Sequence, residues 1–475
     1  MGNKQFFIHG HFYQPPREDA ITGLIPGEPG AAPYKNWNER IHDECYRPNA
    51  SIGNFSRISF NIGPTLLDWM QGHDKLTYQA IIDQENAIYA RYGVGNGMAQ
   101  PYNHTILPLA STRDKIIQIK WGIADFIHHF GHQPLGMWLP ETAVDEETLS
   151  ILVDHGIQFT ILAPWQVRSD TKDEGIYKLT LQGNRQMHAF VYDRGLSTRL
   201  SFDPSATVNA DQFIRDHLEL SVEAQSRVLC AASDGELYGH HQPFREMFLA
   251  HLIDRIPVLT DLSVSFPAKI LREAEEASLA ELVPDTSWSC HHGISRWKEE
   301  CACTPGAIWK APLRSALDSI ADQVDVIFER VLVDKGIDPF YARNEFIRVL
   351  LGETSIDDFL AYECKCQDED TMMVQALLKA QVARQKMYTS CGFFFDELSR
   401  IEPRNNIGYA AQAIAWTEFV TGEQLMPDAW QLLSEIKSQR FAINGCTIFT
   451  DFYRNAVIDL QAYAISLGAP PAGEV

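Results

Sequence analysis

An α/β barrel over residues 1–305 and an all-α helical bundle over residues 306–475 are the predicted architecture of this 475-residue chain. Three observations carry the prediction. Short apolar runs recur through the first 300 residues, and stretches of helical period separate them. Seven such runs follow one another without hairpin signals, which is the pattern of a parallel barrel one strand short of eight, an incomplete (β/α)7 barrel. From about residue 306 the apolar period is helical and β-branched runs almost vanish.

The elements follow in order. Residues 5–9 form the first strand, and His9 and His11, two apart, share one face of an extended chain. Residues 15–37 are rich in Pro and Gly and predict a long loop that carries Trp37 into a helix start. The second strand is 57–62, and Gly63-Pro64 opens a helix containing Leu66, Leu67, Trp69 and Met70. A helix over 74–91 precedes a short strand and polar turn at 95–104. Ile116, Ile117, Ile119, Trp121, Ile123 and Phe126 give 112–130 a helical period. Strands four to seven are 135–139, 158–162, 187–192 and 228–232, with helices from about 142 to 153, over 210–226 and over 243–256. The second region reads as helices near 311–335, 338–351, 372–400, 406–420, 428–438 and 447–467, with a frayed tail at 468–475. The aromatic run Ser390–Asp396 is read as a buried helix contact or, alternatively, a closing loop.

Composition narrows the function. A formal charge of −22 argues against binding nucleic acid or an anionic membrane surface. No apolar run has the length of a membrane span, and the N-terminus leads into a strand without a secretory pattern. Nine cysteines in such a chain are expected as reduced thiols of a cytoplasmic protein. Cys290, the pair Cys301 and Cys303, and the pair Cys364 and Cys366, with His291 or His292, would be zinc donors only at Cys-x-Cys spacing, which fits a zinc knuckle poorly. No metal or cofactor is expected.

Two strands end in acids. Val228 to Ala232 is uncharged, as in a strand buried on both faces, and breaks into Ser233-Asp234-Gly235-Glu236, then Tyr238, Gly239 and His240. Leu135-Gly-Met-Trp-Leu-Pro140 is likewise apolar, and Glu141 follows at once. Ligands of α/β folds bind at the carboxyl ends of strands. A parallel barrel would bring Glu141 and Asp234, 93 residues apart, to one mouth. Retaining glycoside hydrolysis needs two carboxyl groups about 5–5.5 Å apart, one as nucleophile and one as acid/base. An acid after a strand commonly caps a helix or turn instead, and Asp145 and Glu236 fit that role. The matched contexts of Glu141 and Asp234 favour chemistry.

These motifs resemble glycoside hydrolase family 57, the α-amylase, α-glucanotransferase and branching-enzyme family with a (β/α)7 barrel. Its five short regions have counterparts here in order. His9-Gly-His11 with Gln14-Pro15 is similar to the first, although Phe12 and Tyr13 interrupt the contiguous His-Gln-Pro of many members. Gln100-Pro-Tyr-Asn-His104 is similar to the second, with Gln100 where many members have an acid. Met137-Trp-Leu-Pro-Glu141 is similar to the third and Ser233-Asp-Gly-Glu-Leu-Tyr-Gly-His240 to the fourth. Ser287-Trp-Ser with Gly293 and Trp297 is similar to the fifth. The resemblance implies Glu141 as nucleophile, Asp234 as acid/base, and α-glucans or other α-linked oligosaccharides as substrates. It also implies sugar contacts from His9, His11, Gln14, His104, Glu236 and His240, with Trp37, Trp138 and Trp288 as platforms. It places a helical domain against the barrel. The alternatives are a metal-dependent carbohydrate deacetylase, with His9, His11 and Asp234 as ligands, and a glycan-binding relative without turnover. The Asp-Asp pair usual after the first strand of such deacetylases does not follow the first strand here.

Overall fold

A computed structural model describes residues 4–171, 175–218, 227–273 and 277–466. The chain divides into two compact units. One comprises Met1–Gln14 and Gly27–Gly293, the other Pro15–Pro26 and Ile294–Val475. The division thus falls at 293/294 rather than 305/306, and the first part of the long loop belongs with the helical unit.

The strands are β1 (Gln5–Phe12), β2 (Ser59–Ile62), β3 (Phe159–Leu162), β4 (Val167–Arg168), β5 (Ile176–Thr180), β6 (Gln186–Val191), β7 (Val228–Asp234), β8 (Ser263–Val264) and β9 (Ser278–Leu282). Seven parallel stretches make the barrel wall. β7, β1 and β2 pair in parallel. Single bridges then continue the wall, Phe60 to Gly97, Ala99 to Met137 and Gly136 to Phe159, and β3 pairs with β6. The amide of Asp193 donates to the carbonyl of Cys230 at 2.7 Å and closes the ring. These are the seven runs expected from the sequence. The third and fourth are not regular strands, because each is joined to the neighbour on either side by a single bridge. The wall strands are buried on both faces, with Phe6, Phe7 and Ile8 of β1 and Val228 to Ala232 of β7 all buried, which accounts for their uninterrupted apolar character.

The helices between them obey local rules. Asp74 accepts from the amides of Leu76 and Thr77 to start Lys75–Tyr92, and Gly93 at φ 68° ends it. Ser111 caps Thr112–Phe130 and Asp145 caps Glu146–Asp154, so the capping role read for Asp145 is the observed one. Three features departed from expectation. β5, antiparallel to β6 and parallel to β9, builds a side sheet not expected from the sequence, and the helix Arg194–Phe202 is likewise additional. The helix expected over 210–226 is seen as Ala210–Phe213 continued by the π-helical turn Ile214–Leu218, and 219–226 lies outside the described residues.

The second unit is helical. Its longest members are Lys310–Asp334, Thr371–Lys386, Ile401–Thr421 and Gly445–Ser466. The expected helix over 372–400 breaks after Lys386. The short helix Cys391–Phe394 follows, with Phe393 buried and Gly392 against Asn406, so the aromatic run is a buried helix contact. The tail at 468–475 lies outside the described residues.

Candidate active site

The strand ends converge on two carboxyl groups. Glu141 sits in a turn after the fourth wall stretch with φ 58°, and Thr142 follows at φ 49°. Left-handed backbone at non-glycine residues costs of order 1–3 kcal/mol and persists only where the surroundings over-determine it. They do so here. Thr142 Oγ1 donates to Gln166 Oε1 at 2.9 Å, and Gln166 Nε2 returns a bond to the Thr142 carbonyl at 2.8 Å. The Trp288 amide donates to the Glu141 carbonyl at 3.0 Å. The Glu141 carboxylate is then oriented by two donors on one oxygen. Trp288 Nε1 lies 3.0 Å and Ser289 Oγ 2.6 Å from Oε2.

Asp234 ends β7 opposite His11 in the β1–β7 register. Solvent reaches its side chain, yet burial pushes its carboxyl up to about 8, with the charges of Glu236 and Glu141 adding to the shift. Both observations hold for a group surrounded by protein on most sides and reached by solvent from one. Asp234 therefore carries a proton at neutral pH. Gly235 allows this placement, since a Cβ there would sit 2.3 Å from the Phe12 ring. Gly239 has φ 140°, and a Cβ on it would lie 2.2 Å from the Glu44 carbonyl.

Glu236 is not a cap. Its Oε1 accepts from Tyr46 Oη at 2.7 Å and from the Tyr13 amide at 3.0 Å, and Gln14 Nε2 donates to Tyr46 Oη at 2.9 Å. Burial pushes Glu236 up to about 7 against these bonds. Tyr46 and Glu44 lie in the π-helical turn His42–Tyr46. Glu44 Oε2 meets His240 Nδ1 at 2.5 Å, and His240 packs edge-on against Trp37 at 5.8 Å.

Histidines and aromatic rings form the remaining wall. His11 stacks on Trp138 at 5.2 Å, and His104 stacks on Tyr13 at 3.8 Å. His11 Nε2 lies 3.3 Å from His104 Nε2, so one of them donates. Burial lowers both, His11 to about 4, and the pair is neutral at working pH. His9 is fully buried, with Nδ1 3.0 Å from Ser59 Oγ and Nε2 3.1 Å from Asn61 Oδ1. Burial lowers it to about 3. With both ring nitrogens bonded inside the wall, His9 is not disposed as a metal ligand beside His11 and Asp234, and the deacetylase donor set does not fit.

The structure thus brings Glu141, Asp234, Glu236, His11, His104 and Trp288 into one connected set. Gln14 reaches it through Tyr46, and Trp37 and His240 form a flank with Glu44. Trp138 and His9 have no exposed surface, so they back the site and present no platform face. Trp288 is half-buried and carries a hydrogen bond to Glu141, a role that a platform reading does not contain. Ser289, Tyr46, Tyr13, Asn61 and Gln166 were missed. Ser289 lies inside the fifth motif, Tyr13 inside the first, and Gln166 follows the strand at 158–162; Tyr46 and Asn61 carried no local signal. None of the nine cysteines is in a disulfide.

The profile described as Glycosyl hydrolase family 57 matches residues 34–279, more than half of the chain. Residues 307–469 match Domain of unknown function (DUF3536). No curated protein matches. Among solved structures, an exo-type maltose-forming amylase from Pyrococcus sp. ST04 is 14% identical, with a TM-score of 0.74 over 98% of this chain and 94% of that one. A branching enzyme from Pyrococcus horikoshii is 13% identical, with a TM-score of 0.61 over 96% and 95% of the two chains. An α-amylase from Thermotoga maritima is 13% identical, with a TM-score of 0.58 over 94% and 99%. At such identities the likeness is one of fold.

Proposed function

This chain belongs to glycosyl hydrolase family 57, and on that premise we propose that it is a retaining enzyme of α-linked glucans, with Glu141 as nucleophile and Asp234 as acid/base. The Glu141 carboxylate attacks the anomeric carbon while the glycosidic C–O bond breaks, and Asp234 gives its proton to the leaving oxygen. Asp234 then takes the proton of water or of an acceptor hydroxyl, which attacks the glycosyl ester and frees Glu141. Water gives hydrolysis and a sugar acceptor gives transfer. The observation that carries the assignment is the division of environments. Glu141 is oriented by Trp288 and Ser289, and Asp234 is kept protonated by burial and by neighbouring acids. Neutral His11 and His104 are held to each other through Nε2, and His11 Nδ1 lies 3.1 Å from Asn61 Oδ1, so they shape an uncharged wall beside the acids, with His9 and Trp138 behind them. Glucan specificity is taken from the amylase and branching-enzyme relatives. A cytoplasmic location is proposed from the cysteine usage of the sequence. No helix among the described residues is long and apolar enough to cross a membrane.

The test is trapping with a 5-fluoro-α-glucosyl fluoride, followed by peptide mass mapping, beside product chromatography on amylose, maltoheptaose and glycogen. A label on Glu141 and shortened, redistributed or branched glucans are expected. A label on another residue overturns the nucleophile. A wild type inert on all three glucans overturns the substrate class.

A further inference from the structure

A second set of metal-type donors lies on helices of the first unit, outside the carboxyl cluster described above. Asp125 and His129 are one helical turn apart on Thr112–Phe130, and Asp68 faces them from Pro64–His73. Asp125 and His129 are buried and Asp68 is exposed. His129 Nε2 stands 3.5 Å from Asp125 Oδ1 and 3.7 Å from Asp68 Oδ1. These separations are too long for hydrogen bonds, and neither buried atom, Asp125 Oδ1 or His129 Nε2, has a hydrogen-bond partner among the described residues.

The chain's other buried or half-buried histidine–carboxylate pairs close much further. His42 lies 3.0 Å from Asp74, His132 2.9 Å from Glu85 and His240 2.5 Å from Glu44. An imidazolium between two carboxylates should do the same, because charge-assisted bonds shorten to about 2.7–2.9 Å. A stand-off of 3.5–3.7 Å from both acids instead resembles the edge of a coordination tetrahedron. Ligands at about 2.1 Å from a zinc ion are separated by about 3.4 Å. The other ring nitrogen is placed as a ligand histidine requires. Nδ1 lies 2.8 Å from Tyr78 Oη; with Nδ1–H donating to the hydroxyl, the Nε2 lone pair points at the two acids.

We propose that Asp68, Asp125 and His129 form a divalent-metal site that joins helices Pro64–His73 and Thr112–Phe130, with Tyr78 orienting the imidazole. One nitrogen and two carboxylate oxygens suit zinc, and the exposure of Asp68 lets water complete the shell.

The test is zinc titration of the chelator-stripped full chain by calorimetry, with thermal midpoints, on wild type, Asp68→Asn, His129→Gln and Tyr78→Phe. His129→Gln is expected to lose one zinc equivalent. Outer-shell changes cost about 10–100-fold in affinity, which sets the expectation for Tyr78→Phe; Asp68→Asn, a ligand loss, should cost at least ~100-fold. Zinc should raise the midpoint of wild type and leave that of His129→Gln unchanged. Equivalents taken up elsewhere, on thiols, would be common to all four proteins. Asp68→Asn alters an exposed side chain, so it decides the question even if His129→Gln does not fold. Equal zinc affinity in wild type and Asp68→Asn overturns the proposal. So does an Asp68→Asn midpoint that falls while zinc has no effect on wild type, which would make the three groups an ion pair only.

Discussion

Replacing Ser289 by Ala removes one of the two donors on Glu141 Oε2 and leaves the barrel untouched. The bond is 2.6 Å long, within the range of a hydroxyl on an ionised carboxylate. Hydrogen bonds to charged groups are worth about 1.5–3 kcal/mol, and each 1.36 kcal/mol is tenfold in rate, so kcat/KM should fall by about 10- to 150-fold. The loss should appear mainly in kcat, because the carboxylate must hold its attack geometry as the ester forms and breaks. Trp288→Phe removes the 3.0 Å bond to the same oxygen. Both donors serve one atom, so the double variant should deviate from additivity. The assay is kcat and KM on aryl α-maltosides of graded leaving-group pKa, with thermal midpoints as the control for folding. A better leaving group should not rescue Ser289→Ala, because proton donation is intact. Retention of kcat/KM within about twofold at unchanged midpoint would refute the reasoning that these donors position the nucleophile.

Four further outcomes follow from the same geometry. Glu141→Gln and Asp234→Asn should each lose at least ~10³-fold, and only Asp234→Asn should recover its first step with a fluoride leaving group; equal rescue of both would exchange or void the roles. Activity should decline as pH rises through about 8, where Asp234 loses its proton. Glu236→Gln removes a like charge and should move that limb to lower pH, while an upward shift contradicts the electrostatics. Asp234 binds its proton more tightly folded than unfolded, so its contribution to stability diminishes as pH climbs from about 4 to 8. Asp234→Asn should therefore raise the thermal midpoint more at pH 8 than at pH 5, and the opposite order would place the group differently. Gly239→Ala puts a Cβ 2.2 Å from the Glu44 carbonyl at φ 140° and should cost about 1–3 kcal/mol in urea unfolding; a neutral effect would show that the loop moves aside freely.

The barrel was legible because its signal is local. A strand buried on both faces must be apolar throughout, and Glu141, Asp234 and the histidines stand out where such runs stop. The same logic failed where wall segments shrink to single bridges at 97–99 and 136–137, and where β5 builds a side sheet. It also passed over Asp125 and His129, because an acid and an imidazole one turn apart on an amphipathic helix look like solvated surface until Asp68 and Tyr78 are brought against them.

The order of strands and helices, the helical character after residue 306 and the two acids at strand ends are thus legible in the residues alone. Those properties depend on periodicity and on chain breaks, which span a few residues. What surrounds each side chain depends instead on segments far apart in the chain. Tyr46 and Glu236 are 190 residues apart, yet their 2.7 Å bond turns an apparent capping acid into part of a buried network. Trp138 is enclosed and Trp288 is hydrogen-bonded to Glu141, although both are Trp beside a motif. The protonation of Asp234 has the same origin, since burial and neighbouring charges exist only after distant strands close into one ring.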